Sequence, residues 1–473
     1  MKISVKPSFW KLRLMAGAAA LLVVTGSPLS AHAETLAGAL ARAYQTNPEL
    51  NAARAGLRAT DEGVSQALSG YRPTITAEAS TGIVTSALRP NGAINSSTTL
   101  HPTALSLVVV QPLFRGFRTQ NAVAQAEAGV QAGRAGLQNT EQNIFLTATQ
   151  AYMDVLADRA ILALRQQNVG FLDEQVRSAQ ARFDVGEGTR TDIAQANARR
   201  AFALAQVSAA RAALTSSNAS YRQVVGVSPD QLVTPSPFSN SMPGSLQAAV
   251  DDALATHPAI LAARANIDVA QSAVALAEGE LLPELNFEGR AQRAWDQGGS
   301  GGPNDSLSAT LRLSVPIYQG GRATSAIRQS IETLGQRRLE LDVAREQVRA
   351  AVYAAFGGLE ASRAQIDATT AQVSASQVAL SGILEEQRVG QRTTLDVLNT
   401  QDELITARIN EVNARRDLVV ASYSLASALG RLSAQSLGLQ VARYEPAEHY
   451  EAVRDQWYGL RTPDGRGGPL FGD

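Results

Sequence analysis

Two aspartates carry the chain's clearest chemical signal. Asp192 and Asp396 each close the pattern V-G-x-x-T-x-x-D. The first occurrence is Val185, Gly186, Thr189 and Asp192, and the second is Val389, Gly390, Thr393 and Asp396. Every member recurs at a separation of 204 positions (396 − 192). A threonine three residues before an acid is the pattern of a capping box, in which hydroxyl and carboxylate satisfy free N–H groups at a helix start. A glycine shortly before it supplies the left-handed residue that ends the preceding helix. The pattern therefore describes a tight helix–turn–helix tip, written twice, and helix capping accounts for much of it.

No residue set points to catalysis. The chain has no cysteine, which excludes a disulfide, a thiolate metal site and a thiol nucleophile. Its four histidines are scattered. No nucleophile elbow or metal-ligand cluster is present, and Asp and Glu are spread along helix faces. GGSGG at 298–302 lacks the strand–turn–helix surroundings of a phosphate loop. The reading is not an enzyme, with no cofactor and no metal. The 42 basic and 43 acidic residues balance, which gives no argument for a nucleic-acid partner.

The elements that must position the two tips also come in duplicate. TLAGALARAYQTNPELNAARAGL at 35–57 matches SLQAAVDDALATHPAILAARANI at 245–267, and Pro48 pairs with Pro258 at an offset of 210 (258 − 48). Pro112, Gly116 and Arg118 of QPLFRGFR then match Pro316, Gly320 and Arg322 of VPIYQGGR at 204 (316 − 112). The second copy has lost six residues between Pro283 and Pro316 (210 − 204), which places a variable loop there. The expected organisation is a signal peptide at 1–33, a first repeat at 34–230, a Pro-rich connector at 231–244, a second repeat at 245–430, and a C-terminal equatorial segment and disordered tail at 431–473. Lys2, Lys6, Lys11 and Arg13, the apolar run Leu14 to Val24, and Ala31-His32-Ala33 are the marks of the signal peptide. No other segment reaches ~18 uninterrupted apolar residues, so no membrane-spanning helix is expected. That leaves a soluble exported protein or a β-barrel, whose strands escape a hydropathy scan.

Within each copy the hydrophobic period changes. Residues 36–70 read as one helix, 74–83 and 103–111 as strands, 117–184 as one long helix, and 190–226 as a returning helix. Val123, Val130, Leu137, Ile144 and Ala151 fall seven apart, as do Ile327, Leu334, Leu341, Val348 and Ala355. Such spacing sustains helices that coil round neighbours. About 68 residues at 1.5 Å each give roughly 100 Å of helix, more than a compact core needs. An ordinary coiled-coil bundle has the same periodicity. Residues 307–315 alternate Leu, Ala, Leu, Leu and Val on one face with polar residues on the other, as a tilted membrane strand does and as a one-sided soluble sheet also does. Pro112 and Pro316 are expected to end the strand ladder. Gly116 and Gly320 then turn the chain into the long helix. Phe114 and Tyr318 stand where an interfacial aromatic belt is wanted. Four strands per chain cannot close a barrel, so a membrane barrel must be shared between chains.

The tandem helix–strand–strand–helix–helix copies, the junction motif P-[LI]-[FY]-x-G-[FG]-R and the tip motif together resemble the TolC family of outer-membrane channel-tunnels over about residues 34–430. The resemblance implies a mainly α protein with a membrane β-barrel. Long coiled-coil hairpins and four strands per protomer would build a homotrimer with a twelve-stranded barrel and an α-helical tunnel. It implies location in the outer membrane, in contact with its lipid and extending into the periplasm. It further implies docking at the tips to a periplasmic adaptor (membrane fusion) protein and an inner-membrane RND or ABC transporter. The function implied is a passive exit duct for efflux or type I secretion, gated at the periplasmic tips. Asp396 matches a constriction aspartate of the family, and Asn399 stands where a second aspartate is found. Arg392 of the second copy would latch to Thr191 and Asp192 of the first, and Gln387 occupies the position of a latch tyrosine. The alternative is a periplasmic coiled-coil scaffold or adaptor without a barrel.

Overall fold

The computed structural model describes residues 34–88, 96–239, 243–298 and 302–465. The signal peptide, the middle of GGSGG and the last eight residues of the tail (466–473) lie outside the described residues.

Each copy begins with a broken helix rather than the single one expected. The breaks fall at Asn47-Pro48 and His257-Pro258, giving α1 (Leu36–Thr46) and α2 (Pro48–Leu68), and α5 (Leu246–Thr256) and α6 (Pro258–Glu278). Proline has no N–H and forces its predecessor out of the helical region, so it opens a new helix instead of continuing the old one. The long helices α3 (Arg118–Asp184) and α7 (Arg322–Arg388) are 67 residues each, roughly 100 Å of unbroken helix. The returning helices are α4 (Arg190–Val225) and α8 (Thr394–Ala428), and a short α9 (Pro446–Arg454) follows.

The strands are β1 (Thr74–Thr81), β2 (Val84–Leu88), β3 (Ser96–Leu100), β4 (Thr103–Arg115), β5 (Glu284–Trp295) and β6 (Asn304–Ser314). Four form one antiparallel sheet in the order β1-β4-β5-β6. β2 and β3 make a separate hairpin that the sequence reading missed. Their Ser- and Thr-rich composition hides the alternation that marks the other strands. The first strand also stops at Thr81, two residues short of the expected 83. β4 runs three residues past Pro112, with a register shift between Pro112 and Phe114. The bulge absorbs the missing donor, so Pro112 does not end the ladder. β6 does stop at Ser314, before Pro316.

The largest core sits at mid-height. Tyr152, Tyr221 and Phe145 are its largest fully buried side chains. They gather α1, α2, the middle of α3, the end of α4 and the end of α8. There α4 meets the α1/α2 break end to end. Thr46 Oγ1 donates to the Val225 carbonyl at 3.2 Å, and Asn47 Nδ2 donates to the Val224 carbonyl at 3.0 Å. Val130, Leu137, Ile144 and Ala151 of the seven-residue series are buried as the spacing requires.

Candidate functional site at the helical tips

The two tips fold by one mechanism. Gly186 and Gly390 adopt φ of 82° and 79°, the left-handed region that glycine enters without a Cβ clash. Each closes its long helix as a Schellman cap, with Glu187 N–H reaching back five residues to the Arg182 carbonyl at 2.8 Å and Gln391 N–H to the Glu386 carbonyl at 2.9 Å, outside the shorter-range Gly186–Phe183 and Gly390–Gln387 bonds at 3.0 and 3.1 Å. Both capping boxes are closed. The Thr189 hydroxyl accepts from the Asp192 N–H at 3.2 Å, and Asp192 Oδ2 accepts from the Thr189 N–H and hydroxyl at 3.0 and 2.7 Å. These bonds to Thr189 hold the Asp192 carboxyl below the usual carboxylate range. The bonds to Thr393, backbone first, do the same for Asp396. Within one protomer Asp396 is therefore biased toward its ionised form. Val185 and Val389, 72% and 71% exposed, stand on the two turns as isolated apolar points.

The structure brings the tips together through residues the sequence reading missed. Arg182 on α3 donates to the Thr394 hydroxyl at 3.3 Å. The Gln387 amide, turned with its oxygen toward Arg182, accepts from the same guanidinium at 3.1 and 3.2 Å. Arg199 on α4 donates to Asn399 Oδ1 at 2.9 Å and stands 3.7 Å from the Asp402 carboxylate. Below them Gln401 donates to Asn168 at 2.8 Å in a buried pair, beside a small core of Leu172, Ala196, Ala203 and Leu398. Gln387 and Asn399 are thus joined to the first copy, by Arg182 and Arg199. Arg392 is not: it donates to Glu386 of its own tip at 2.8 Å, rather than to Thr191 or Asp192. A signal for the missed pair was present. At the 204 offset Arg182 corresponds to Glu386, and Arg199 to Glu403 (386 − 182, 403 − 199). A charge reversal between otherwise similar copies marks where they face unlike neighbours.

The junction residues lock the sheet to the helices. Gly116 packs so closely on the α6–β5 link that a Cβ there would lie 2.5 Å from the Gly279 carbonyl. Arg118 donates to Glu284 at 2.6 Å, and Arg322 approaches Glu280 at 3.4 Å. Phe117, left-handed at φ 59°, opens α3 where Gly321 opens α7. Its ring meets Phe114 edge-on at 5.2 Å, a contact that offsets the strain of a non-glycine residue there. Among the described residues no group of three or more His, Cys, Asp or Glu could hold a metal ion.

The family model for "Outer membrane efflux protein" matches this chain twice, at residues 39–227 and 249–431, one match per copy. The chain is 46% identical over 452 residues to the outer membrane efflux protein BepC of Brucella suis biovar 1 (strain 1330), covering 95% of this chain and 97% of that one. It is 27% identical over 435 residues to the outer membrane protein TolC of Escherichia coli (strain K12), covering 88% and 86%. Its fold is similar to that of the Campylobacter jejuni CmeC outer membrane channel, with a TM-score of 0.75 at 13% identity over 89% of each chain. With both copies matched and a relative this similar along nearly its whole length, the chain belongs to the outer membrane efflux protein family, the exit ducts of the outer membrane.

Proposed function

We propose that three copies of this chain form one continuous passive conduit, gated at its periplasmic end by the helical tips. The observation that carries the reading is the open sheet. Its four strands leave β1 and β6 as free edges. One face is a row of exposed apolar side chains, among them Ile75, Leu105, Leu107, Leu307, Leu311 and Leu313. Backbone groups on a free edge cannot face hydrocarbon unpaired. Pairing β1 of one protomer with β6 of the next satisfies them, and three copies of four strands make a closed barrel of twelve. The opposite face carries Thr76, Glu78, Glu288, Arg290 and Arg312, suited to a water-filled lumen.

Below the barrel the long hairpins continue as the tunnel. The exposed turns at Val185 and Val389, with their closed caps, form the surface offered to a periplasmic adaptor, and through it to an inner-membrane transporter of the RND or ABC class. The duct has no catalytic step of its own, and the energy for transport comes from that partner. Arg392, whose Nε is held by Glu386, acts between protomers through its remaining guanidinium donors.

Because the chain has no cysteine, the sheet edges can be tested without background. Single cysteines introduced on β1 and on β6 should give covalent dimers and trimers on oxidation in native membranes. Monomer at every β1/β6 pairing tried would refute the shared barrel.

A further inference from the structure

The two copies break their first helix at the same place and cap the new helix with different chemistry. In the first copy Asn47 Oδ1 accepts from the Glu49 and Leu50 N–H groups at 2.9 and 3.1 Å. Its Nδ2 donates to the Val224 carbonyl at the end of α4. The matching residue of the second copy is His257 (257 − 47 = 210). Its Nδ1 accepts from the Ala259 N–H at 3.1 Å. The Ser427 carbonyl near the end of α8 acts on the ring in favour of its protonated form. With Nδ1 as the acceptor, the ring's Nε2–H is the donor left for the α8 side.

A neutral histidine in this tautomer imitates an asparagine, with one acceptor toward the helix start and one donor toward the returning helix. The imitation holds only while Nδ1 is unprotonated. An imidazolium has two donors and no acceptor, so its Nδ1–H would oppose the Ala259 N–H that it had capped. Asn47 has no such second state.

We propose that His257 is an acid-operated release for the joint that anchors the second hairpin, while the Asn47 joint that anchors the first is indifferent to pH.

The surroundings favour that behaviour. The ring is buried, and burial pushes its pKa below the ordinary value, with the Ser427 carbonyl acting the other way. No carboxylate is among the ring's contacts to hold a proton on it. On α5 Asp252 is paired with Arg431 at 2.9 Å. α7 brings Leu341, Val348 and Val352 into the apolar cluster that holds Ile260 of α6, and Arg345 and Arg349 are held by Asp342 and Glu346 of their own helix. On α3 Arg134 and Glu141 line the cleft that Pro258 and Gly430 share, and Glu141 is bonded to the Ala434 N–H at 2.7 Å. The joint is also tight. A Cβ at Gly430 would lie 2.9 Å from Pro258 Cδ and 3.0 Å from His257 Cα, so a charged, rotated ring cannot be taken up silently. α8 runs from this joint to Asp396, and loosening its upper end frees the hairpin that carries the second tip.

The sign follows from linkage. A histidine with a depressed folded pKa contributes its full stability above the unfolded value of about 6.5 and loses it as pH falls through the folded value. The test is hydrogen exchange on the full-length purified protein at pH 7.5 and pH 5, corrected for intrinsic rates. Peptides spanning 253–262 should lose protection severalfold, up to the roughly thirtyfold that an unfolded value of about 6.5 allows at pH 5, while those spanning 43–52 should not change. His257→Asn, the first copy's own solution, should keep full protection at both pH values. His257→Ala, uncapped throughout, should already be low at pH 7.5 and fall no further. The same acid loss in His257→Asn or His257→Ala, or no loss in the natural protein, would overturn the proposal.

Discussion

Asp396 and Thr393 hold each other in a closed ring of hydrogen bonds at the second helical tip. The Asp396 carboxylate accepts the Thr393 N–H and hydroxyl on the same oxygen, Oδ2, at 2.9 and 2.8 Å, and the Asp396 backbone N–H donates to the hydroxyl at 3.2 Å. The cap fixes the carboxylate in place and keeps it ionised, and Oδ1 stays outside the box. One residue thereby ends up both structural and electrostatic.

Asp396→Ala should weaken block of the pore by polyvalent cations in planar bilayers, and Asp396→Asn should weaken it as much while better preserving the cap. Unchanged block in both would remove Asp396 from the constriction. Because the folded pKa of Asp396 is depressed, its cap is fully present above the unfolded carboxylate value of about 4 and is lost only as pH falls through the lower folded one. Acid effects between pH 7 and 5 should therefore survive in Asp396→Asn.

Arg182 and Arg199 join the two hairpins; the Arg182–Thr394 contact is part-buried and the Arg199 contacts are exposed, the exposed ion pair being worth about 0–1 kcal/mol. Together they should bias the resting state. Arg182→Ala with Arg199→Ala is expected to raise resting single-channel conductance more than either change alone. Arg392→Ser should also raise it, whereas Glu386→Gln, which releases Arg392 from its own tip, should not. A conductance that ignores the Arg182 and Arg199 changes would mean that the inter-hairpin contacts do not set the closed state.

The two junction glycines should respond unequally, although they are equivalent in sequence. Gly116→Ala meets the Gly279 carbonyl and Leu282, whereas Gly320 has open space around it. Gly320→Ala incurs only backbone strain, about 1–2 kcal/mol. Yield of heat-resistant oligomer in the outer membrane should collapse for Gly116→Ala and persist for Gly320→Ala.

Tyr152 ties the connector to the core. Its hydroxyl accepts from the Val233 N–H at 3.0 Å and lies 2.6 and 2.7 Å from the Val233 and Glu34 carbonyls. Burial pushes its pKa up to about 12, so it stays neutral through the physiological range. Tyr152→Phe removes the hydroxyl from the Val233 and Glu34 carbonyls, while the Val233 N–H keeps the Glu34 carbonyl at 3.1 Å, so the cost is that of an ordinary hydrogen bond, about 0.5–1.5 kcal/mol. A thermal unfolding midpoint equal to that of the natural protein would contradict this.

Much of the fold was legible because it is written twice. The long helices, the capping boxes and the sheet strands all follow from period, glycine and the T-x-x-D spacing. The helix breaks at Asn47 and His257 were masked by continuous alanine-rich periodicity, although Pro48 and Pro258 carried the signal. The β2–β3 hairpin is rich in Ser and Thr, and its few apolar residues, Val84, Ala87, Leu88 and Leu100, do not alternate. At the tips the caps were local and readable. The partners of Gln387 and Asn399 were not, because Arg182 and Arg199 reach them across about 200 residues of chain (399 − 199). Only tertiary packing sets such distances, and the Arg-to-Glu reversals between copies were the one trace left in the sequence.

The most direct measurement is the mass and image of the protein extracted from the outer membrane in mild detergent. Three subunits in one tube, with a twelve-stranded barrel above a helical tunnel of roughly 100 Å, is the expected result. A single subunit, or a closed particle without a threefold axis, would contradict the conduit outright.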